Sequence, residues 1–335
     1  MQEPGRAPVV ATLPRSLYLE TTNRCDSKCQ TCTRTFNTLE PPKDLTLAEL
    51  RGIVDQFPVL DRVVLHGIGE PLLNRELFEM IAYLKGKGAT VLFNSDAITL
   101  TPSRAHRVIE SGLDEYRVSM DAATRETYRA IRGVDRFDRV VGNVHALVEL
   151  QRSLDRATPR VSLWFTAMRI NLHELPDFVR LAAGIGVPEV YVQRLVFYGQ
   201  GLAVHEQSLH GSLREREERL IEEAEREARA AGVAFKASGM TTPVESLKGT
   251  EPSRRPWSGC QRPWTLSYVT ANGNVLPCCI SPWVAKDYQG LALGNAFQER
   301  FAEIWNGERY QRFRTDFESE IPPDPCRGCG LLWSI

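Results

Sequence analysis

Along the first 200 residues the apolar positions switch repeatedly between a period of two and a helical period. Residues 16–22 (SLYLETT) alternate apolar and polar, as a strand does. Residues 45–56 carry helically spaced apolar side chains behind Thr46, a residue type suited to cap a helix start. Residues 62–66 (RVVLH) form a short apolar strand that runs into Gly67-Ile68-Gly69-Glu70-Pro71. The pattern then repeats: helix 75–87 ending at Gly88, strand 90–93 into Asn94-Ser95-Asp96, helix 102–111 closed by Gly112, strand 115–120 into Asp121. Helices 124–132 and 139–152, strand 161–168, helix 175–183 and strand 189–196 follow. Strands that alternate with helices at this spacing imply a parallel sheet of βα units. Six units by residue 200 are too few for a closed eight-fold barrel, so the expectation is an α/β partial barrel, open on one side. In such sheets the chemistry sits on loops beyond the C-terminal ends of strands, where the motifs below fall.

Past residue 196 the pattern changes. Residues 197–210 read as a linker rich in Gly and His, and residues 213–231 as a charge-dense helix. Its apolar positions, Leu213, Leu220, Ile221, Ala224, Ala228 and Ala231, make a thin stripe behind a solvated face. Residues 233–237 can return as a strand, and the polar, proline-bearing stretch 250–256 marks a boundary. The domain reading is a barrel over 1–210, a helical linker over 211–257 and a small module over 258–335. So small a module is marginal on its own core, and a metal staple suits it.

Composition narrows the function. The chain has 335 residues, which at roughly 150 per domain suggests about two domains. Its 41 Lys+Arg balance 42 Asp+Glu, and no basic tract is interleaved with aromatics, so a nucleic-acid partner is not expected. No apolar run reaches the ~20 residues of a membrane span. Residues 1–14 lack a basic-then-apolar export pattern, and the expected location is the cytoplasm. There are eight cysteines: 25, 29, 32, 260, 278, 279, 326 and 329. Without an export signal a disulfide framework fits poorly, and two clusters far apart in the chain point to metal ligation.

Cys25, Cys29 and Cys32 form a C-x3-C-x2-C triplet on the loop after the first strand. Three thiolates on one loop hold three corners of a [4Fe–4S] cube and leave one iron open to a chelating molecule. Structural zinc takes four protein ligands, and no fourth lies nearby in sequence. The triplet and its position resemble the signature of the radical S-adenosylmethionine (SAM) superfamily, over residues 16–200 and on into the C-terminal module. The resemblance implies a partial (β/α)6 radical SAM barrel in which SAM binds the open iron and is cleaved to a 5′-deoxyadenosyl radical. Gly67, Gly69, Glu70 and Pro71 resemble the family's Gly-Gly-Glu-Pro strand end, where carbonyls and Glu70 accept from the SAM ammonium. By the same resemblance Asn94, Ser95, Ser119 and Asp121 contact SAM at later strand ends. Arg132 takes its carboxylate, and Met168, with Arg169 and Asn171, lies on the adenine side. Thr31 departs from the pattern, since many members place an aromatic there.

Cys260 and Cys278, then Cys326 and Cys329, make a second four-cysteine set, which alone fits zinc or an iron–sulfur cluster. Beside a radical SAM barrel it resembles the Twitch module, a shortened SPASM module with one auxiliary [4Fe–4S] cluster. Cys279 is then a small buried hydrophobe beside a ligand, or the ligand in place of Cys278. The spacing is similar to that of 2-deoxy-scyllo-inosamine dehydrogenase. That resemblance implies hydrogen abstraction from a small polar carbohydrate-like substrate (sugar, aminocyclitol or nucleoside) and oxidation through the auxiliary cluster. It also implies an external electron donor such as flavodoxin or ferredoxin. Candidate catalytic residues at the barrel mouth are His66, Gln193 and Arg194. One alternative is a radical decarboxylase, similar to cytosylglucuronate decarboxylase, with Arg194 binding the carboxylate. Another is a peptide-modifying maturase.

Overall fold

The computed structural model describes residues 6–239, 241–248, 255, 257–284, 287–327 and 329. Seven strands follow in chain order: β1 (Ser16–Leu19), β2 (Arg62–Val64), β3 (Thr90–Ser95), β4 (Glu115–Ser119), β5 (Arg160–Ala167), β6 (Glu189–Arg194) and β7 (Ala234–Ala237). Each is parallel to the next. Three more, β8 (Leu266–Val269), β9 (Asn274–Leu276) and β10 (Gly294–Asn295), complete one sheet in the order β10-β9-β8-β1-β2-β3-β4-β5-β6-β7. Among the described residues its two ends do not pair, so the barrel is partial, as the alternation predicts.

Side chains alternate across each strand, and this separates core from hollow. On β4, Tyr116 and Val118 are buried while Glu115, Arg117 and Ser119 are half-buried. On β6, Val190, Val192 and Arg194 are buried while Tyr191 and Gln193 are half-buried. The buried row packs under helices that contribute Leu50, Ile53, Met80, Ile81, Val108, Val144, Leu147 and Phe178. The half-buried row lines the hollow. There the Arg117 guanidinium lies 4.7 Å above the Trp164 ring, and Trp164 stacks on Tyr191 with centroids 4.1 Å apart. The helix over residues 47–54 starts as expected: Thr46 and Glu49 form a reciprocal capping box.

The structure departs from the sequence expectation in three places. β3 does not stop at residue 93 but runs through Asn94 and Ser95, because Asn94 pairs with Arg117 and Ser95 with Val118. Within the 211–257 stretch expected as a linker, residues 215–237 are wall, not spacer. Helix Glu215–Ala231 buries Ile221, Ala224 and Ala228 against helix Leu175–Gly184, and β7 then pairs with β6. The C-terminal module shares the barrel's sheet: β8 runs parallel to β1, from Ser16↔Leu266 to Leu19↔Val269. A module too small for its own core is stabilised by borrowing an edge of the larger one.

The N-terminal segment also serves that module. The Arg6 side chain donates to Glu318 at 2.9 Å and to the Cys260 carbonyl at 2.6 Å, and its guanidinium lies 4.2 Å above Trp264. The fully buried Arg314 donates to the Pro8 carbonyl at 2.8 Å, and Trp305 Nε1 to the Thr12 carbonyl at 3.0 Å. Among the described residues no helix is long and apolar enough to cross a membrane.

Candidate active site

The triplet loop leaves the end of β1 and closes into the short helix Thr33–Phe36. It is held by the end of another helix. The carbonyls of Ile131 and Arg132, left over at the C-terminus of helix Arg125–Arg132, accept from Gln30 N at 2.7 Å and Lys28 N at 3.2 Å. Gly133 makes this docking feasible: its φ is +69°, and a Cβ there would stand 2.2 Å from the Lys28 carbonyl. Leu202 N, beyond β6, donates to the Gln30 carbonyl at 2.7 Å. The three cysteines are half-buried on this pinned loop. Burial pushes the Cys29 thiol up to about 12, against the pull of the neighbouring Arg132 guanidinium. Burial, then Asp96 and Glu70, raise the Cys25 thiol. Such thiols become thiolates when a metal displaces their protons.

A single-ion site is not built here. Among the described residues the one group tight enough is Cys25, Asp26 and Asp96. Asp96 is already engaged, accepting from Ser27 Oγ at 2.7 Å and Ile98 N at 2.9 Å. Three thiols spread along one loop suit three irons of a cube better than one ion.

The strand ends around the triplet are rigidly braced. Gly67 and Gly69 are required by close approach. A Cβ on Gly69 would lie 2.0 Å from the Thr22 carbonyl, and one on Gly67 would lie 2.2 Å from Glu20 Oε2. Pro71 opens the short turn that follows and is buried. Glu70 is buried with both oxygens occupied: Oε1 accepts from Ser95 Oγ at 2.8 Å and Leu72 N at 3.0 Å, Oε2 from Asp96 N at 2.8 Å. It braces the end of β3, and Oε2, with one donor, keeps acceptor capacity for the SAM ammonium that the resemblance implies. Ser95 is likewise part of this brace and also receives the Tyr116 hydroxyl at 3.1 Å.

Asp121 takes φ +64°, a costly conformation for a residue with a Cβ, and the surroundings hold it there. Its Oδ1 accepts from Thr166 N at 2.7 Å, and its Oδ2 accepts from Arg132 NH1 at 2.9 Å. The Arg132 Nε is buried, without a hydrogen-bond partner among the described residues, beside Cys29. An orphaned guanidinium N–H next to the cluster loop fits an anionic group of a bound cofactor, as the SAM carboxylate would be. Met168 is fully buried in a small apolar set with Ile131 and Leu195, behind this arginine's helix. Asn94 and Ser119 are half-buried on the hollow side.

The three proposed catalytic residues are not brought together. Gln193 lines the hollow. His66 has a buried Nδ1 with no hydrogen-bond partner among the described residues, and its ring stacks on Trp283 with centroids 6.0 Å apart. Burial, then the charge of Arg117, push its pKa down to about 4, so the imidazole is neutral at ordinary pH. Arg194 faces the other way. It lies one residue past Gln193, on the opposite side of the strand, where its Nε donates to the Ser246 carbonyl at 2.7 Å. The role of Arg194 as a carboxylate binder in the hollow is thereby excluded.

The second cysteine set converges. Burial raises the Cys326 thiol most, followed by its neighbours Cys278, Cys329 and Cys260. Cys278 Sγ also stands 3.2 Å from Ser281 Oγ. Cys279 is buried beside Cys278, with Arg262 and the Tyr18 hydroxyl as neighbours. Four convergent thiols from two distant segments suit an iron–sulfur cluster ligated at every iron.

Two acids that the sequence reading passed over, Glu20 buried and Glu40 half-buried, join the halves. Glu20, 1 % exposed, continues the hollow-facing row of β1. It accepts from Tyr268 Oη at 2.7 Å, Ile68 N at 2.8 Å and Ala271 N at 3.2 Å. Glu40 accepts from Asn274 Nδ2 and Tyr288 Oη at 2.8 Å each and from Asn272 Nδ2 at 2.9 Å. An acid continuing the alternation of a strand into a loop was the only local signal for Glu20.

A partial parallel barrel, a three-cysteine loop after its first strand and a GxGEP strand end packed against that loop define a class. The family model of the radical SAM superfamily matches residues 19–194, and the chain belongs to that superfamily. The SPASM iron-sulfur cluster-binding domain matches residues 260–330. The chain is 25 % identical over 322 residues to the AdoMet-dependent heme synthase of Nitratidesulfovibrio vulgaris, covering 92 % of this chain and 83 % of the relative. It is 25 % identical over 319 residues to the PqqA peptide cyclase of Gluconobacter oxydans, covering 94 % and 82 %. The fold is similar to that of Streptococcus suis SuiB bound to S-adenosylmethionine, with a TM-score of 0.71 at 18 % identity over 96 % of this chain and 72 % of that one. The protein is thus a radical SAM enzyme whose cofactors are SAM, a [4Fe–4S] cluster and auxiliary iron–sulfur clusters.

One substitution tests the brace directly. Gly69→Ala puts a methyl group into the Thr22 carbonyl. Overpacking of this kind costs about 1–3 kcal/mol. The expected result is a lowered Tm and at least about tenfold weaker SAM binding by anaerobic equilibrium dialysis, a loss of roughly 1.4 kcal/mol. Unchanged affinity would show that the glycine path does not shape the SAM site.

Proposed function

We propose that this protein modifies a peptide. The supporting observation is that PqqA peptide cyclases align with 94 % of the chain at 25 % and 26 % identity. The geometry is compatible with such a substrate. Among the described residues the sheet's two ends do not pair, and in this reading an extended chain enters the hollow between them. Asn94, Ser119, Thr166 and Gln193 present amide and hydroxyl groups along the hollow at consecutive strand ends. Neutral donors and acceptors of this kind match backbone amides.

When bound, SAM and the triplet-loop cluster supply a radical that removes a hydrogen atom from the substrate. The chain's own residues do the rest. Cys25, Cys29 and Cys32 hold three irons of that cluster. Arg132, fixed by Asp121, holds the cofactor's anionic end, and Glu70 keeps Ser95 and Asp96 in place behind it. His66, neutral and stacked on Trp283, walls the hollow. Cys260, Cys278, Cys326 and Cys329 would hold the auxiliary cluster, with Cys279 a buried neighbour of Cys278.

The heme synthase relatives support a second reading, a tetrapyrrole substrate. The small carbohydrate expected from cysteine spacing has no counterpart among these relatives. The deciding assay measures 5′-deoxyadenosine release above the substrate-free rate, with a reductant, for a mixed peptide pool, a porphyrin panel and a sugar and aminocyclitol panel. The proposal requires stimulation by peptides and a mass change in the responding peptide. Stimulation by porphyrins or sugars alone would overturn it.

A further inference from the structure

Glu20 touches both halves of the enzyme, and no step above uses it. Its carboxylate is buried at the end of β1, 1 % exposed. One oxygen, Oε2, receives Ile68 N at 2.8 Å from the loop that carries Gly67 and Gly69, and Tyr268 Oη at 2.7 Å from β8. The other, Oε1, receives Ala271 N at 3.2 Å from the turn between β8 and β9. The main chain repeats the link, with Glu20 N donating to the Val269 carbonyl at 2.9 Å. Gly67 lies so close that a Cβ there would collide with both Glu20 and the Tyr268 hydroxyl. Beyond the β8–β9 turn, β9 leads directly to Cys278.

We propose that Glu20 is a positioning residue that couples SAM binding to the seating of the auxiliary-cluster hairpin. A single carboxylate oxygen shared by Ile68 N and Tyr268 Oη ties the two donors together. A shift of the hairpin that moves Tyr268 moves the carboxylate, and Ile68 with it. The core around it is close-packed, so the displacement cannot be absorbed locally. Coupling between two binding events is reciprocal: whatever seats the hairpin tightens SAM, and SAM steadies the hairpin. The inference rests on membership of the radical SAM superfamily and not on the peptide substrate.

The test uses full-length reconstituted protein, compared at equal iron content, with SAM affinity read by anaerobic equilibrium dialysis. Tyr268→Phe removes a contact on the module side and keeps the Ile68 N–H bond to Glu20; the lost hydroxyl also lies against Gly67, so the double variant with Glu20→Gln separates that direct packing from the link through Glu20. It is expected to weaken SAM binding by about threefold or more, near the ~1 kcal/mol of one hydrogen bond. Glu20→Gln is expected to weaken it by about tenfold, and the double variant to match Glu20→Gln alone, because the second change cuts a link already cut. Hydrogen exchange supplies a readout that a purely structural role would not move. SAM should slow exchange of the Ala271 amide in the wild type but not in Tyr268→Phe. A Tyr268→Phe protein with lowered Tm but unchanged SAM affinity, or Ala271 exchange indifferent to SAM in the wild type, overturns the proposal. Should Glu20→Gln fail to fold, Tyr268→Phe alone decides.

Discussion

Replacing Cys25, Cys29 and Cys32 together by alanine will halve the iron of the reconstituted protein and abolish SAM cleavage. Two [4Fe–4S] clusters per chain give about eight irons, and loss of one leaves about four. The structure supports independent loss. The triplet loop is pinned by Ile131, Arg132 and Leu202 through backbone groups that do not involve the thiols. The second set stands on other segments, anchored by β8 and by the N-terminal segment. The auxiliary cluster's absorbance should therefore survive in the triple variant. Cys326→Ser/Cys329→Ser should give the mirror result, losing the auxiliary irons and keeping the triplet's. Iron that falls to zero in the triple variant would show that the second site holds no iron–sulfur cluster. Sulfide and zinc counts on the same samples complete the measurement.

Arg132→Met will cost both stability and cofactor. The Arg132 and Asp121 side chains are only 9 % and 4 % exposed, and their contact is 2.9 Å. Removing one partner of a buried ion pair strands the other's charge, at about 3–5 kcal/mol. Here the stranded carboxylate also sits at φ +64° and braces Thr166 N on β5, so the hollow's rim loosens with it. SAM affinity should fall by about 10–100-fold, the range for a lost hydrogen bond to a charged group. Arg132→Lys separates the two effects. A lysine restores charge beside Asp121 and so recovers stability, but it has no fork to offer a carboxylate and leaves SAM weakly bound. A lysine variant with wild-type SAM affinity would remove Arg132 from the cofactor site. Thermal melts and equilibrium dialysis under argon measure both.

Much of this was legible in the sequence because it is local. The alternation of β4 and β6, the capping box at Thr46 and the glycine at the end of helix Arg125–Arg132 each depend on neighbours a few residues away. The C-x3-C-x2-C triplet and the GxGEP strand end are local as well, and they carried the family and its cofactors. Arg194 marks where such reading stops. It and Gln193 are adjacent candidates of similar polarity, and only the side of β6 on which each falls separates them. That side depends on where pairing with β5 places the strand, since a shift of one residue would exchange the two.

By itself the sequence determined the βα order, the two cysteine sets and the glycines that let the strand ends approach the cluster loop. Those features follow from periodicity and from residue types with few alternatives. The tertiary structure alone decided that residues 215–237 build barrel wall and that β8 joins the sheet beside β1. It also decided that Arg6 reaches Cys260, that Cys278 lies near Cys326, and that Glu20 accepts from both Ile68 and Tyr268. Each of these pairs is separated by tens to hundreds of residues. Such contacts arise from how twisted strands and packed helices close around one core, and no window along the chain contains both partners.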